Sequence, residues 1–223
     1  MIDAVIFDLD GVLIDTEQVW DEVRENFVRE RGGLWHDRAQ ADMMGMSSTE
    51  WSRYLHDELG LTEPPEELNR LVVEEMQRRY RAGLPVVDGA VEAVQRLAEH
   101  WPLGLASSSN RPLIDLALEE MGVSDLFRAT VSSEEVDRGK PAPDVYLEAA
   151  RRLDVPPERA AAVEDSANGI RSAKAAGMRV IAILNLHFPP DDESIELADV
   201  RLESLAKLRS KAVAGSGSSR PGR

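Results

Sequence analysis

Short apolar runs alternate with longer amphipathic stretches along most of the chain, and this alternation limits the folds that it can adopt. Residues 2–9 are rich in β-branched side chains and too few for a buried helix, so they predict a buried strand ending near Asp8. Similar runs lie at 103–107, 129–131, 160–164 and 179–184, and helical periodicity lies between them at about 90–99, 111–121, 143–153 and 167–176. This alternation predicts an α/β fold with a Rossmann-like open parallel sheet.

Residues 16–87 interrupt the alternation. They show helical periodicity at about 16–31, 47–59 and 66–82, with no convincing strand, and Ser47 to Glu50 form a capping-box sequence. Because this stretch is far longer than a crossover needs, we predict an all-helical cap domain at 16–87, inserted into an α/β core domain made of 1–15 and 88–212. The Gly- and Ser-rich stretch 213–223 predicts a disordered tail.

The composition makes several classes of partner and site unlikely. The chain carries 26 Lys and Arg against 41 Asp and Glu, a net charge of −15, so we expect neither nucleic acid nor an anionic membrane as a partner. The lack of cysteine excludes disulfides, thiolate metal sites and cysteine nucleophiles. Without a signal-peptide pattern or a run of roughly 18 apolar residues, we expect a cytoplasmic protein, either a monomer or a homodimer.

Acidic side chains follow two of the predicted strands. Asp8 and Asp10 follow the first, and Glu164 and Asp165 follow the fourth, at the sheet edge where α/β proteins bind ligands. Any one of these acids could instead serve as a turn or helix-cap residue. Two carboxylates about 4 Å apart repel each other by about 4 kcal/mol at an effective dielectric constant of 20, so a cluster of four needs a cation. Carboxylate oxygens favour Mg²⁺ over Zn²⁺.

Candidate phosphate-binding groups follow the strands between these acids. Ser107 and Ser108 precede a predicted helix start, where hydroxyls and free backbone N–H groups can bind an anion. A plain N-cap at Asn110 is compatible with this interpretation. Lys140, between Gly139 and Pro141, adds a positive charge, although many loop lysines are merely solvated. This combination of groups is typical of a site for phosphoryl transfer: carboxylates, Mg²⁺, a lysine and an anion-binding loop.

Four segments carry a family resemblance. They are Phe-Asp-Leu-Asp-Gly-Val at 7–12, the serine at 107, Gly-Lys-Pro-Ala-Pro-Asp at 139–144 and Val-Glu-Asp-Ser-Ala-Asn-Gly-Ile at 163–170. In order and spacing they resemble the four motifs of haloacid dehalogenase-like (HAD) hydrolases. The helical insertion is similar to that of the branch with phosphoglycolate phosphatases, sugar phosphatases and β-phosphoglucomutase. The resemblance implies a Mg²⁺-dependent phosphatase that hydrolyses a small phosphorylated metabolite, such as a sugar phosphate or phosphoglycolate.

The resemblance also implies roles for individual residues. Asp8 would be the nucleophile that forms an aspartyl-phosphate, and Asp10 would protonate the leaving oxygen and then activate water. Ser107 and Lys140 would hold the transferring phosphoryl group. The implied Mg²⁺ ligands are the carboxylates of Asp8 and Asp165 and the backbone carbonyl of Asp10. Glu164 would either bind the ion directly or contact one of these ligands.

Other activities remain open at this point. β-Phosphoglucomutases usually have a histidine and an arginine where this chain aligns Trp20 and Ser48, which favours a phosphatase over a mutase. Gly45 and Met46 resemble a substrate-specificity loop, and with Trp20 they could line a leaving-group pocket or simply fill the core of the cap. A receiver domain uses similar groups but carries its phospho-accepting aspartate on the third strand. A non-catalytic HAD relative that binds or regulates is the remaining alternative.

Overall fold

A six-stranded parallel sheet forms the centre of the protein in a computed structural model that describes residues 1–43, 46–184 and 189–215. The strands are β1 (Ala4–Phe7), β2 (Leu103–Ser107), β3 (Phe127–Ser132), β4 (Ala160–Glu164), β5 (Arg179–Ile183) and β6 (Val200–Leu202). Their order in the sheet is β3-β2-β1-β4-β5-β6, and every neighbouring pair is parallel. The predicted open parallel sheet is confirmed. Strand β6 was not predicted, because three residues are too few to show a period.

The helices begin and end close to the predicted boundaries. They are α1 (Glu17–Glu30), α2 (Ala39–Met43), α3 (Ser48–Asp57), α4 (Pro65–Ala82), α5 (Ala90–Ala98), α6 (Arg111–Glu120), α7 (Asp144–Arg152), α8 (Ala167–Ala175), α9 (Asp192–Glu196) and α10 (Ser210–Ala214). Helices α2, α9 and α10 escaped sequence analysis because five residues give little more than one turn. In the described ranges, no helix combines the length and apolar character that crossing a membrane requires.

Both faces of the sheet are buried, as expected for a sheet with β-α-β crossovers. Successive residues of β1 alternate between the faces: Val5 and Phe7 belong to one apolar cluster and Ile6 to the other. The central position of β1 between β2 and β4 places its carboxyl end between theirs. The residues that follow these three strands therefore meet at one edge.

Helices α1 to α4 form the insertion between β1 and α5. The capping box at the start of α3 is present: Ser47 N donates to Glu50 Oε2 at 2.7 Å, and Glu50 N donates to Ser47 Oγ at 3.4 Å. The connections into and out of the insertion run side by side, since Asp15 N donates to Pro85 O at 2.8 Å and Val87 N donates to Leu13 O at 3.0 Å. The division into a cap domain at 16–87 and a core domain stays a prediction.

Helix α10 overlaps the first two residues of the predicted tail. Val213 is fully buried in α10, and Arg179 Nε donates to Ala212 O at 3.3 Å. The buried valine explains why the helix continues past residue 213. The remainder of the predicted tail, residues 216–223, lies outside the described part of the chain.

Candidate active site

The carboxyl ends of β1 and β4 bring three of the predicted acids together. Asp8 N donates to Val163 O at 2.9 Å, so the hydrogen bonding between the two strands continues one residue past the end of β1. Glu164 is the last residue of β4, and Asp165 follows it directly. The acids that the sequence separates by more than 150 positions therefore lie side by side.

Lys140 lies between two of these carboxylates. Its Nζ donates to Asp8 Oδ1 at 2.7 Å and to Glu164 Oε1 at 2.6 Å, and all three side chains are buried. Tyr146 OH also donates to Glu164 Oε1, at 2.9 Å. These contacts exclude the interpretation of Lys140 as a solvated loop lysine.

The second carboxylate oxygen of Glu164 organises the loop after β4. Glu164 Oε2 accepts hydrogen bonds from Asp165 N at 3.0 Å, Ser166 N at 3.2 Å and Ser166 Oγ at 3.1 Å. Helix α8 begins directly after this loop, and a Cβ atom at Gly169 would lie 1.7 Å from Glu164 Oε1. Only glycine at this position leaves room for the carboxylate between the strand and the helix.

Three carboxylates form a candidate metal site. Asp8, Glu164 and Asp165 each offer an oxygen, and these oxygens lie within 4.8 Å of one another. Gly11 adopts a φ of +82°, and a Cβ atom there would lie 2.0 Å from Asp165 Oδ2, so glycine allows both the backbone turn and the approach of the carboxylate. The donors are all oxygen, as Mg²⁺ prefers, and with Lys140 the ionised groups carry two uncompensated negative charges. The residues present therefore fit a divalent cation.

The pKa values of the buried groups reflect both their burial and their charged neighbours. Burial raises the pKa of Asp8 to about 8, and the carboxylate of Glu164 adds to this effect while Lys140 opposes it. Burial also disfavours the ammonium group of Lys140, but Asp8 and Glu164 outweigh this and raise the pKa of Lys140 above its usual value. Lys140 is therefore a cation at neutral pH, and a divalent cation beside Asp8 would favour its carboxylate form.

Asp10 is held separately from the three metal-site carboxylates. Its Oδ1 accepts a hydrogen bond from Thr16 Oγ1 at 2.5 Å, and its Oδ2 accepts one from Ser109 Oγ at 2.7 Å. The backbone of Ser109 is fixed in turn, because Ser109 N donates to Ser107 Oγ at 2.9 Å and Ser132 Oγ donates to Ser109 O at 2.7 Å. Two hydroxyl groups thus fix the Asp10 carboxylate in one orientation.

A cavity of about 80 Å³ lies between the sheet edge and the helical insertion. Its wall on the sheet side includes Asp8, Asp10, Ser108, Ser109, Asn110 and Lys140. Its wall on the insertion side includes Glu17, Trp20, Arg24, Met43, Met46 and Trp51. The structure thus places Trp20 and Met46 opposite the acids, whereas Gly45 lies outside the described residues.

Ser107 occupies a different position from its neighbours. It is fully buried, and its Oγ accepts the hydrogen bond from Ser109 N, whereas Ser108 and Ser109 line the cavity. In this arrangement Ser107 supports the loop that presents the other two serines. Its direct contact with phosphate stays a prediction.

Several polar contacts of the site were not predicted from the sequence. Thr16 and Ser109 bind Asp10, Tyr146 binds Glu164, and Glu17 and Arg24 lie on the cavity wall. The spacing of Arg24, four residues after Trp20, was the one available signal, since it places both residues on the same face of a helix.

Glu17 gives a pH-dependent test of this geometry. Burial, followed by repulsion from Asp10, raises the pKa of Glu17 from 4.5 to about 7. A carboxyl group whose pKa is raised in the folded state destabilises that state as the pH rises from the unfolded pKa to the folded one. We predict that Glu17→Gln stabilises the protein by an amount that is absent below pH 4.5, grows up to about pH 7 and is constant above it.

The measurement is the free energy of urea unfolding of both proteins over this pH range. Glu30→Gln is the matched control, because Glu30 is exposed on the same helix α1. A stability difference for Glu17→Gln that does not change with pH would contradict the burial of an ionisable carboxyl group at this position.

The comparison with known proteins agrees with this site. Residues 2–177 match the model of the haloacid dehalogenase-like hydrolase family. The chain belongs to the haloacid dehalogenase-like hydrolase family. The predicted family and the prediction of a hydrolytic enzyme are therefore confirmed.

Individual relatives of this HAD hydrolase are phosphatases. It is 33% identical over 231 residues to hexitol phosphatase B of Escherichia coli K12, covering 95% of this chain and 96% of that one. It is 31% identical over 211 residues to the bifunctional riboflavin kinase/FMN phosphatase of Arabidopsis thaliana, covering 90% of this chain but only 55% of that protein. CbbY from Rhodobacter sphaeroides in complex with phosphate shares the fold, with a TM-score of 0.84, 28% identity, and coverage of 96% of this chain and 100% of the other.

Proposed function

We propose that this HAD hydrolase is a Mg²⁺-dependent phosphatase that hydrolyses a small phosphomonoester through an aspartyl-phosphate on Asp8. Its substrate is a sugar or polyol phosphate, or a similarly small phosphorylated acid such as phosphoglycolate. The observation that carries this proposal is the placement of Asp8 and Asp10 on one cavity, with Lys140 bonded to Asp8 and Asp10 held by two hydroxyls. The names of the relatives support a phosphorylated small molecule as substrate.

In the first step, an oxygen of Asp8 attacks the phosphorus and forms a phosphorus–oxygen bond. The bond from phosphorus to the leaving alcohol breaks, and Asp10 in its acid form gives its proton to the departing oxygen. Lys140 and the serine loop donate hydrogen bonds to the phosphoryl oxygens. Because the leaving alcohol is a poor leaving group, the proton from Asp10 lowers the barrier of this step.

In the second step, water attacks the phosphorus of the aspartyl-phosphate. Asp10, now a carboxylate, accepts a proton from this water, and the bond between phosphorus and Asp8 breaks to release inorganic phosphate. One hard hydrolysis is thereby divided into two displacements that share one proton carrier. The hydrogen bonds from the hydroxyl groups of Thr16 and Ser109 keep Asp10 in position for both displacements.

A divalent metal would complete the electrostatics of this site. Asp8 and Asp165, with the backbone carbonyl of Asp10 and with Glu164 beside or behind them, would hold Mg²⁺. When bound, the ion neutralises part of the negative charge on the transferring phosphoryl group.

The position of Ser48 favours hydrolysis over a mutase reaction. Ser48 Oγ donates to Glu134 Oε1 at 3.0 Å, and Asn110 Nδ2 donates to the same oxygen at 2.7 Å. Ser48 thus joins the insertion to the sheet domain, and the residues that line the cavity do not include it. A mutase must hold a phosphosugar in two orientations, and Trp20 and Ser48 replace the charged groups that mutases usually use for this.

The test is a phosphatase assay on sugar phosphates, polyol phosphates and phosphoglycolate. We expect release of inorganic phosphate in the presence of Mg²⁺ and loss of activity with excess EDTA, restored when Mg²⁺ is added back. Absence of phosphate release from every substrate with Mg²⁺ present would contradict the proposal. β-Glucose 1-phosphate is assayed separately for isomerisation, and formation of glucose 6-phosphate would favour the mutase.

A further inference from the structure

Arg24 is a buried cation on the cavity wall that the catalytic steps do not use. It lies in α1 with 6% of its surface exposed. Its guanidinium carbon is 4.4 Å from the ring centroid of Trp20 and 5.0 Å from that of Trp51. Both tryptophan rings therefore contact the charged group, from adjacent sides.

Nearby carboxylates, above all that of Glu17, stabilise the charge of Arg24 from a distance, but the guanidinium makes no direct ion pair with them. Among residues 1–43, 46–184 and 189–215, Arg24 forms no salt bridge, and its Nε is buried without a hydrogen-bond partner. The other arginines around the end of α1 differ, because Arg29 pairs with Glu25 at 2.7 Å and Arg31 pairs with Glu63 at 3.2 Å. A buried donor without a partner is unfavourable, so the unpartnered Nε on this cavity wall indicates a ligand that accepts its hydrogen bond.

The chemistry of a stacked guanidinium limits what this ligand is. Contact with aromatic rings uses the flat faces of the group, and the N–H donors point outward in its plane. Planar or tetrahedral anions, such as carboxylates and phosphates, accept two such donors at once. Burial lowers the pKa of Arg24 to about 10, so the group is still a cation at neutral pH.

Arg24 and Asp8 line the same cavity from opposite sides, so one molecule can contact both. The phosphoryl group belongs beside Asp8 and Lys140, and the leaving alcohol then extends towards the insertion.

We propose that Arg24 binds a second anionic group, a carboxylate or a second phosphate, on the alcohol that the enzyme releases. The preferred substrates are then phosphomonoesters of small acidic alcohols rather than of neutral polyols. This inference rests on the proposed phosphatase function, because it assigns the far end of the same substrate.

The experiment compares matched substrates with and without the second charge. Glycerol 3-phosphate is neutral where 3-phosphoglycerate carries a carboxylate, and ribitol 5-phosphate is neutral where ribitol 1,5-bisphosphate carries a phosphate. Values of kcat/KM are measured for wild type, Arg24→Met and Arg24→Lys. Arg31→Met is the matched control, because Arg31 stacks on Phe27 at 3.6 Å but does not line the cavity.

We expect wild type to prefer the charged member of at least one pair. Arg24→Met should lower kcat/KM for that member by about 10- to 100-fold, as the loss of a hydrogen bond to a charged group does, and should change the neutral member by less than about threefold. Arg24→Lys should retain part of the preference, and Arg31→Met all of it. The pair that responds tells whether the group is a carboxylate or a phosphate.

Binding supplies a second readout that does not depend on turnover. In the Asp8→Asn background, calorimetry with the preferred charged substrate should show affinity reduced by the same factor when Arg24→Met is added. Thermal unfolding checks that each variant is folded. If Arg24→Met does not fold, Arg24→Gln is used in its place.

Two results would overturn the inference while leaving the phosphatase function intact. One is a wild-type preference for the neutral member of both pairs, and the other is an equal loss for charged and neutral substrates in Arg24→Met. If wild type releases phosphate neither from these four substrates nor from any substrate of the wider panel, the proposed function itself fails, and the inference fails with it.

Discussion

Asp8→Asn is expected to lower kcat for phosphomonoester hydrolysis by about 10⁴-fold or more, the size of loss seen when a catalytic nucleophile is removed. The amide cannot form the acyl phosphate on which both displacements depend. Lys140 still contacts Glu164 at 2.6 Å, so a cation stays beside the phosphate site. Steady-state release of phosphate measures the effect.

Asp115→Asn is the matched control for this substitution, because the side chain of Asp115 is 64% exposed and contacts only the surface residue Arg111 among the described salt bridges. Near-wild-type activity is expected for it. Brief reaction with radiolabelled substrate and acid quenching should label wild type but not Asp8→Asn. An Asp8→Asn protein that folds and turns over at the wild-type rate would show that another group attacks phosphorus.

Asp10→Asn is expected to slow hydrolysis of alkyl phosphates by about 10²- to 10⁴-fold, the usual contribution of a general acid or base. Asp10 accepts hydrogen bonds on both oxygens, from Thr16 and Ser109. The amide nitrogen cannot accept, so one hydroxyl must rotate, but the side chain keeps its place. The variant therefore loses the proton carrier while its other contacts persist.

The leaving group provides the decisive comparison for Asp10. A nitrophenolate departs readily without a proton, so formation of the aspartyl-phosphate from p-nitrophenyl phosphate should slow less than formation from an alkyl phosphate. Hydrolysis of the aspartyl-phosphate should also slow, and labelled protein should then accumulate. Equal losses of rate for the two leaving groups in single-turnover experiments would argue against proton donation by Asp10.

The sequence predicts those parts of the fold and site that leave a local pattern. Strands β1, β2 and β4 are short apolar runs. Asp8 directly follows β1, Glu164 ends β4 and Asp165 follows it, so the parallel topology alone brings these acids together. Strand β6 and the three five-residue helices carry no comparable period. They depend on packing against the rest of the protein.

The parts of the site that were missed depend on tertiary contacts. The loop after β2 turns the hydroxyl of Ser109 towards Asp10. The hydroxyl of Thr16 donates to the same carboxylate, because the chain bends back past Asp10 before α1 begins. Arg24 resembles any polar residue of an amphipathic helix until the two tryptophans are seen around it. Single-residue roles of this kind become visible only when the helical insertion is placed on the sheet.

The side-by-side hydrogen bonding of the two connections has a consequence for how this enzyme can be altered. Because the chain leaves the sheet near Leu13 and returns beside it at Val87, both covalent connections of the insertion share one attachment point, and Ser48 adds a separate contact with the sheet domain. A different helical segment with equally close ends could be grafted there and would bring a new specificity without rebuilding the catalytic half. Such an exchange must preserve the hydroxyl of Thr16, since the first residue beyond the attachment point holds Asp10 in place.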